Sequence, residues 1–292
     1  MDMYSHGNRF TLFLLLRLWA VMFWAGLVVG CETVPYTDRS QLVVVPESQT
    51  SQMGEQAFQQ ILSDPKIQLS QSSEEQDAVK RVAERVIQAA KQSEFAETAQ
   101  SFTWEVVVIK DDQTANAFAL PGGKIAVYTG IFPMANNDAG LAAILGHEVV
   151  HALARHSSER MSQEVLAQVG LTAAAVGLGA SGAGPAVGEA TMAALGLGTR
   201  VGVLLPYSRT HESEADSIGI LLSAAAGYDP EEAVRVWQRM QQQSQGAPPE
   251  FLSTHPGHET RIKRLQEAMP EAIKIFQKVK PAPENPLPAV GS

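Results

Sequence analysis

Between Glu74 and Gln92 the apolar residues Val79, Val82, Ala83, Val86, Ile87 and Ala90 recur three and four positions apart. That spacing draws one apolar stripe on a helix and leaves the charged positions outside it. Gln52 to Leu62 reads as another helix. Phe102 to Ile109 is dense in aromatic and β-branched residues and predicts a strand, and Lys124 to Tyr128 predicts a second. Between them runs Asn116-Ala117-Phe118-Ala119-Leu120-Pro121-Gly122-Gly123, where Pro-Gly-Gly marks a turn. A long helix is expected to start at Asn137 or Asp138, either a suitable N-cap, and to continue through Leu141, Ile144, Leu145 and Leu153 past Arg155. Further helices are predicted over Glu212 to Ala226, Pro230 to Gln243 and Ile262 to Val279, with Ser244 to Pro249 as a linker and a disordered Pro-rich end. The Ala/Gly-rich stretch Val165 to Leu205 is broken by Gly182, Gly184 and Pro185. Its uninterrupted pieces are short for a membrane hairpin and fit two closely packed helices or a mobile lid better. The pattern as a whole is α+β, mainly helical with a small β-sheet, and shows no internal repeat.

Charge and cysteine content narrow the partners. The chain has 292 residues with 31 acidic and 22 basic side chains, a net charge of −9. Nucleic acid is excluded as a partner, because neutralising phosphates needs a basic surface. A hydrophobic fraction of 45% against 18% charged residues excludes wholesale disorder. The single cysteine, Cys31, rules out an intramolecular disulfide and any multi-cysteine metal cluster. It follows Arg9, Arg17 and an apolar run from Leu18 to Val29. That run is short for a span, which needs roughly 20 residues, and suits a signal h-region; a signal anchor reaching back to Phe10 is the alternative. Val28-Val29-Gly30-Cys31 resembles a bacterial lipobox. The expected division is therefore a lipoprotein signal peptide over 1–30, a tether over 31–50 beginning at an acylated Cys31, one domain over 51–280 and a disordered tail over 281–292.

His147-Glu148-Val149-Val150-His151 carries the chemistry. Residues four apart share a helix face, so both imidazoles can converge on one ion with Glu148 beside them. A hydrolytic zinc site takes three protein ligands and leaves a fourth position for water. With Cys31 remote, the third ligand must be His, Asp or Glu. His156, five residues past His151, would point roughly 140° away on a continuous helix and reads as structural. Tyr207-Ser208-Arg209-Thr210-His211-Glu212-Ser213-Glu214-Ala215-Asp216 is the better source. Glu212 and Asp216 are four apart, and Ala215 and Gly219 keep the neighbouring positions small enough for another helix to dock. A solvated acidic helix start accounts for Glu212 and Glu214 as well.

These segments, taken in order with Ser253-Thr254-His255-Pro256, resemble peptidase family M48 over about Ser51 to Leu265. The family contains the zinc-type CAAX prenyl proteases, HtpX and BepA, and the lipobox makes the chain most similar to its bacterial lipoprotein members. The resemblance implies a zincin-like gluzincin domain holding one Zn2+, with His147, His151 and Glu212 as ligands and Glu148 as general base. It implies Asp216 as proton donor or orienter of a ligand histidine, and His255 as a loop residue that plugs the water position or stabilises the oxyanion. Arg209 and Arg261 match basic residues of unsettled role. Asn116 to Leu120 match an edge strand along which an extended substrate can lie. The implied function is zinc endopeptidase action on unfolded or misassembled envelope proteins, from a lipid anchor on the periplasmic face of the outer membrane. The alternative is a zinc-containing periplasmic chaperone or assembly lipoprotein with minor or latent proteolysis. A non-peptidase metal hydrolase has no evident use for the edge strand.

Overall fold

The computed structural model describes residues 31–177, 207–243, 250–255 and 258–291. The expected signal peptide and lipobox, the linker at 244–249 and most of the Ala/Gly-rich stretch lie outside the described residues. The described residues open with an antiparallel hairpin, β1 (Cys31–Thr33) and β2 (Ser40–Leu42). Helices α1 (Glu47–Ser63), α2 (Ser73–Ala90) and α3 (Ala96–Ser101) follow. Strands β3 (Glu105–Ile109), β4 (Ala117–Leu120) and β5 (Lys124–Tyr128) form one sheet in the order β3-β5-β4, with β3 parallel and β4 antiparallel to β5. Then come α4 (Phe132–Ala135), α5 (Asp138–Leu153), α6 (His156–Gly177), α7 (Arg209–Ala225), α8 (Glu231–Gln243), α9 (Glu250–Thr254) and α10 (His258–Phe276).

The two clearest patterns fold as expected. In α2, Val79, Val82, Ala83, Val86 and Ile87 are buried, and Ser72 caps the helix by accepting from the Glu75 amide. β5 matches its predicted span. Phe102 to Trp104, however, precede β3 instead of belonging to it: the residues before them close α3, and the Trp104 indole donates to the Ala99 carbonyl at 2.7 Å.

α5 is the axis of the fold. It packs chiefly against α7, with α2, α8 and β4 around it, and every residue from Asp138 to Leu153 except Ala143 is buried. Asn137 caps it through the Gly140 amide. The approach of α5 to α7 depends on two glycines. A Cβ on Gly146 would lie 2.6 Å from the Gly219 carbonyl oxygen, and one on Gly219 would lie 2.8 Å from the His147 nitrogen. The backbones therefore touch where the motif begins, as the small residues of the sequence suggest.

Three expectations are corrected. The motif helix does not run past Arg155: it ends at Leu153, and Arg155 turns the chain with φ +57° before α6 begins. Residues 31–50 are not a loose tether. Val34 is fully buried, Arg39 bridges Glu159 of α6 and Glu214 of α7, and α1 already begins at Glu47. Residues 281–291 are packed, because hydrogen bonds to neighbouring loops replace the missing helical ladder. The Ala282 amide donates to Gly227, Asp138 N–H donates to Asn285, and Leu287 N–H donates to Asn136.

Candidate metal centre

Helix geometry brings the first two candidate ligands together: His147 Nε2 and His151 Nε2 are 3.1 Å apart. α7, pressed against α5 by the glycine contact, adds Glu212, whose Oε2 is 3.6 Å from His147 Nε2 and whose Oε1 is 3.5 Å from His151 Nε2. The chain after α9 adds His255, with Nδ1 3.2 Å from His147 Nε2 and 3.0 Å from Glu212 Oε1. These four residues are buried and offer ligand atoms that all lie within 4.8 Å of one another. Four ligands at about 2.0–2.1 Å from a tetrahedral ion would be separated by about 3.3 Å. The spacings fit that requirement.

Electrostatics point the same way. Glu148, Glu212 and Asp216 are nearly inaccessible, and Arg261, fully buried, is the guanidinium that pairs with Glu212 and Asp216. Three carboxylates against one cation leave two negative charges, which a divalent ion would balance. Protons do part of that work in the chain alone: burial pushes the Glu148 carboxyl up to about 7. His255 is raised, because Glu148 and Glu212 outweigh the burial that would lower it. Burial holds His147 and His151 well below the ordinary histidine value, so both are neutral and keep a free lone pair. Glu148 Oε1 and Asp216 Oδ2 are buried without a hydrogen-bond partner. The residues present thus fit a divalent metal.

Each carried-over residue can now be placed. Asp216 Oδ1 lies 3.2 Å from His147 Nδ1, the ring nitrogen away from the cluster, which is the position of an orienter. His255 Nε2 is 3.3 Å from Glu148 Oε1, so this histidine closes the side where the base stands. β4 is a sheet edge as expected, and the Ala119 amide bonds the Glu148 carboxylate. Ala117, Phe118, Ala119 and Leu120 are nevertheless buried, and Asn116 turns its amide back onto the Ala117 N–H and Glu250. Arg261 belongs to the centre, stacked 3.8 Å from the Trp237 ring centroid, whereas Arg209 is exposed at the start of α7.

Beside the cluster stands a second group that sequence reasoning passed over. Because α5 stops at Leu153, His156 swings back and its Nδ1 comes 2.9 Å from His151 Nδ1. It lies outside the four-residue group, and its place follows from the helix break and not from the angular offset of a continuous helix. Its Nε2 reaches Glu214 at 3.2 Å, and Tyr207 stacks on the His151 ring with centroids 3.9 Å apart. The spacing His151-x4-His156 with Glu159 three residues on was the available signal.

Residues 73–269 match the family model of Peptidase family M48. The chain belongs to this family. With membership comes the class of metalloendopeptidase, on the zincin-like fold whose motif helix and possible metal-binding cluster are described above. The chain is 35% identical over 246 residues to the mitochondrial metalloendopeptidase OMA1 of Schizosaccharomyces pombe, covering 82% of this chain and 67% of the relative. It is 29% identical over 297 residues to the human mitochondrial metalloendopeptidase OMA1, covering 96% of this chain and 54% of the relative. A putative beta-barrel assembly-enhancing protease of Vibrio cholerae is 34% identical over 163 residues, covering 53% of this chain and 33% of the relative. The chain thus spans about one third to two thirds of the length of these relatives. Among the described residues no helix is long and apolar enough to cross a membrane.

Proposed function

We propose that the protein is a zinc-dependent endopeptidase of protein quality control that cuts unfolded or misassembled envelope proteins. The observation that carries this reading is the convergence of His147, His151 and Glu212 with the Glu148 carboxylate beside them. Zinc, when bound, polarises the scissile carbonyl and lowers the pKa of its water to about 7. Glu148 takes the water proton, and its neighbours His255 and the Ala119 amide hold the carboxylate in place. Asp216, itself paired with Arg261, accepts from His147 Nδ1–H and fixes the ring from behind. An extended substrate lies along the outer edge of β4, which delivers its peptide bond next to Glu148.

The same reading places the chain at the bacterial cell envelope, acylated at Cys31 and held at the periplasmic face of the outer membrane. The Val28-Val29-Gly30-Cys31 motif supports it. Two named relatives bear on the client class: one is called a beta-barrel assembly-enhancing protease and another a mitochondrial metalloendopeptidase. Glu148→Gln is expected to keep zinc and fold and to lose casein cleavage by a factor of about 10²–10⁴. Undiminished cleavage by that variant overturns the reading. Membrane fractionation of Cys31→Ser tests the anchor, with release from the membrane expected.

A second reading is favoured by the position of His255. Its Nδ1 completes a four-residue cluster, and closed four-ligand sites are structural. On that reading the protein is a chaperone or assembly lipoprotein with latent proteolysis. His255→Ala separates the two: a gain in casein cleavage marks a removable plug, and loss of zinc without a gain marks a structural site.

A further inference from the structure

The proton arithmetic around His151 extends beyond the centre. If His151 binds through Nε2, the nitrogen that faces His147 and Glu212, its Nδ1 must carry the ring proton. That proton points at His156 Nδ1, 2.9 Å away, which must then accept. His156 Nε2 in turn carries a proton and faces Glu214 Oε2 at 3.2 Å. Glu214 is an acceptor at both oxygens: Thr37 Oγ1 donates to Oε1 at 2.6 Å and Arg39 Nε donates to Oε2 at 2.9 Å. Donors and acceptors thus run in one direction from the ligand to the hairpin without a conflict.

The same arginine fixes the intermediate ring. His156 is stacked on His211 with centroids 4.4 Å apart and planes 14° from parallel. His211 Nε2 lies 3.0 Å from Glu159 Oε2, and Arg39 grips both oxygens of Glu159 at 2.9 and 2.8 Å. Arg39 therefore sits at the far end of both imidazoles. Metal-bound histidines usually hand their second N–H straight to a carboxylate or carbonyl. Here an imidazole is interposed, and the carboxylate it reaches is held by a segment more than a hundred residues earlier in the chain.

We infer that Thr37 and Arg39 of the N-terminal hairpin, acting through Glu214 and His156, are positioning residues that hold His151 in its metal-binding tautomer and orientation. Docking of the hairpin then sets how tightly the centre holds its ion. The inference rests on the metallopeptidase reading above. It makes the segment next to Cys31 part of the metal site's support.

The test is competition for zinc between the full-length chain and a chelating indicator, with melting of the metal-free protein alongside. A wild-type chain that binds no zinc overturns the functional reading itself and is thereby distinguished from a failure of this inference. Outer partners of a ligand typically contribute 10–100-fold in affinity. His156→Phe is expected to weaken zinc by about that factor, and Arg39→Gln, which leaves His156 in place, by about tenfold. Glu214→Gln, which still accepts through its amide oxygen, is expected to retain most of the affinity that Glu214→Leu loses. A residue that only stabilises the fold would lower the metal-free melting temperature and leave zinc affinity unchanged well below it. Wild-type affinity in folded Arg39→Gln and Glu214→Leu overturns the inference, as does a loss confined to His156→Phe. Should His156→Phe not fold, the Arg39 and Glu214 variants decide the matter.

Discussion

His147 and His151 sit four residues apart on one helix and point at the same centre, yet their far sides are built differently. Around His147 stand charges: Asp216 at 3.2 Å from Nδ1, and the Arg261 guanidinium at 3.0 Å from Nδ1 and 3.2 Å from Nε2, both buried. Behind His151 stands a neutral imidazole, and the charges begin only one residue further out, at Glu214 and Arg39. The first arrangement concentrates desolvated charge next to the ion and depends on strict pairing, because a buried charge without its partner is costly. The second moves the charges towards the surface, where Arg39 is about one-fifth exposed. One ligand is held by the interior of the α5/α7/α10 contact and the other by the outer hairpin.

That contrast sets the scale of what substitutions should do. Arg261→Met strips the cation from the His147 side and leaves Glu212 and Asp216 facing each other without it. A loss of about 3–5 kcal/mol in denaturant unfolding of the chelator-treated protein is expected, with much of it restored by zinc. If zinc restores nothing, Arg261 serves as packing on Trp237 and the electrostatic half of the comparison fails. Gly219→Ala inserts a methyl into the α5–α7 contact, which should cost about 1–3 kcal/mol and weaken zinc whichever histidine is considered. Zinc affinity unchanged in that variant would break the premise that this contact places both ligands.

The smallest effect belongs to the His151 side and to acid. Burial alone would raise the Glu159 carboxyl, but hydrogen bonds from His211 and Arg39 overcome it and hold the group at about 2, against an ordinary 4.5. Its contribution is therefore complete above pH about 4.5 and is lost as pH falls towards 2. Arg39→Gln should move the acid-unfolding midpoint upward and leave stability near neutral pH reduced by about 1 kcal/mol, as for a partly exposed pair. An acid midpoint that does not move would show that Arg39 is not what keeps Glu159 ionised.

Legibility in the sequence followed the same divide. His147, Glu148 and His151 were readable because one helix sets their spacing, whereas spacing on α7 left Glu212 and Asp216 open and only the family resemblance told them apart. The amphipathic stripe of α2 and the β-branched run of β5 announced their elements for equally local reasons. What could not be read locally depends on partners far away in the chain. The end of α5 at Leu153 follows from the left-handed turn at Arg155, which pairs with Glu32 and with Glu47 at 2.7 Å. Nothing in the helical periodicity around it signals a stop. The hairpin looked like a tether because its charges appear solvent-seeking until Glu159 and Glu214 are known to wait for Arg39. The tail looked disordered because proline forbids a helix, although it does not forbid pairing with Asn136 and Gly227.

Asp138, at the first turn of α5, is fully buried between Arg81 and Asn285, and the last elements of the chain also bring His255 and Arg261 to the centre. His255 and Arg261, which complete the cluster, follow the motif helix by more than a hundred residues. A growing chain carries the His-Glu-Val-Val-His segment for many residues before it carries the ligand and the cation that finish it. The cluster therefore cannot close before the chain has been made as far as Arg261.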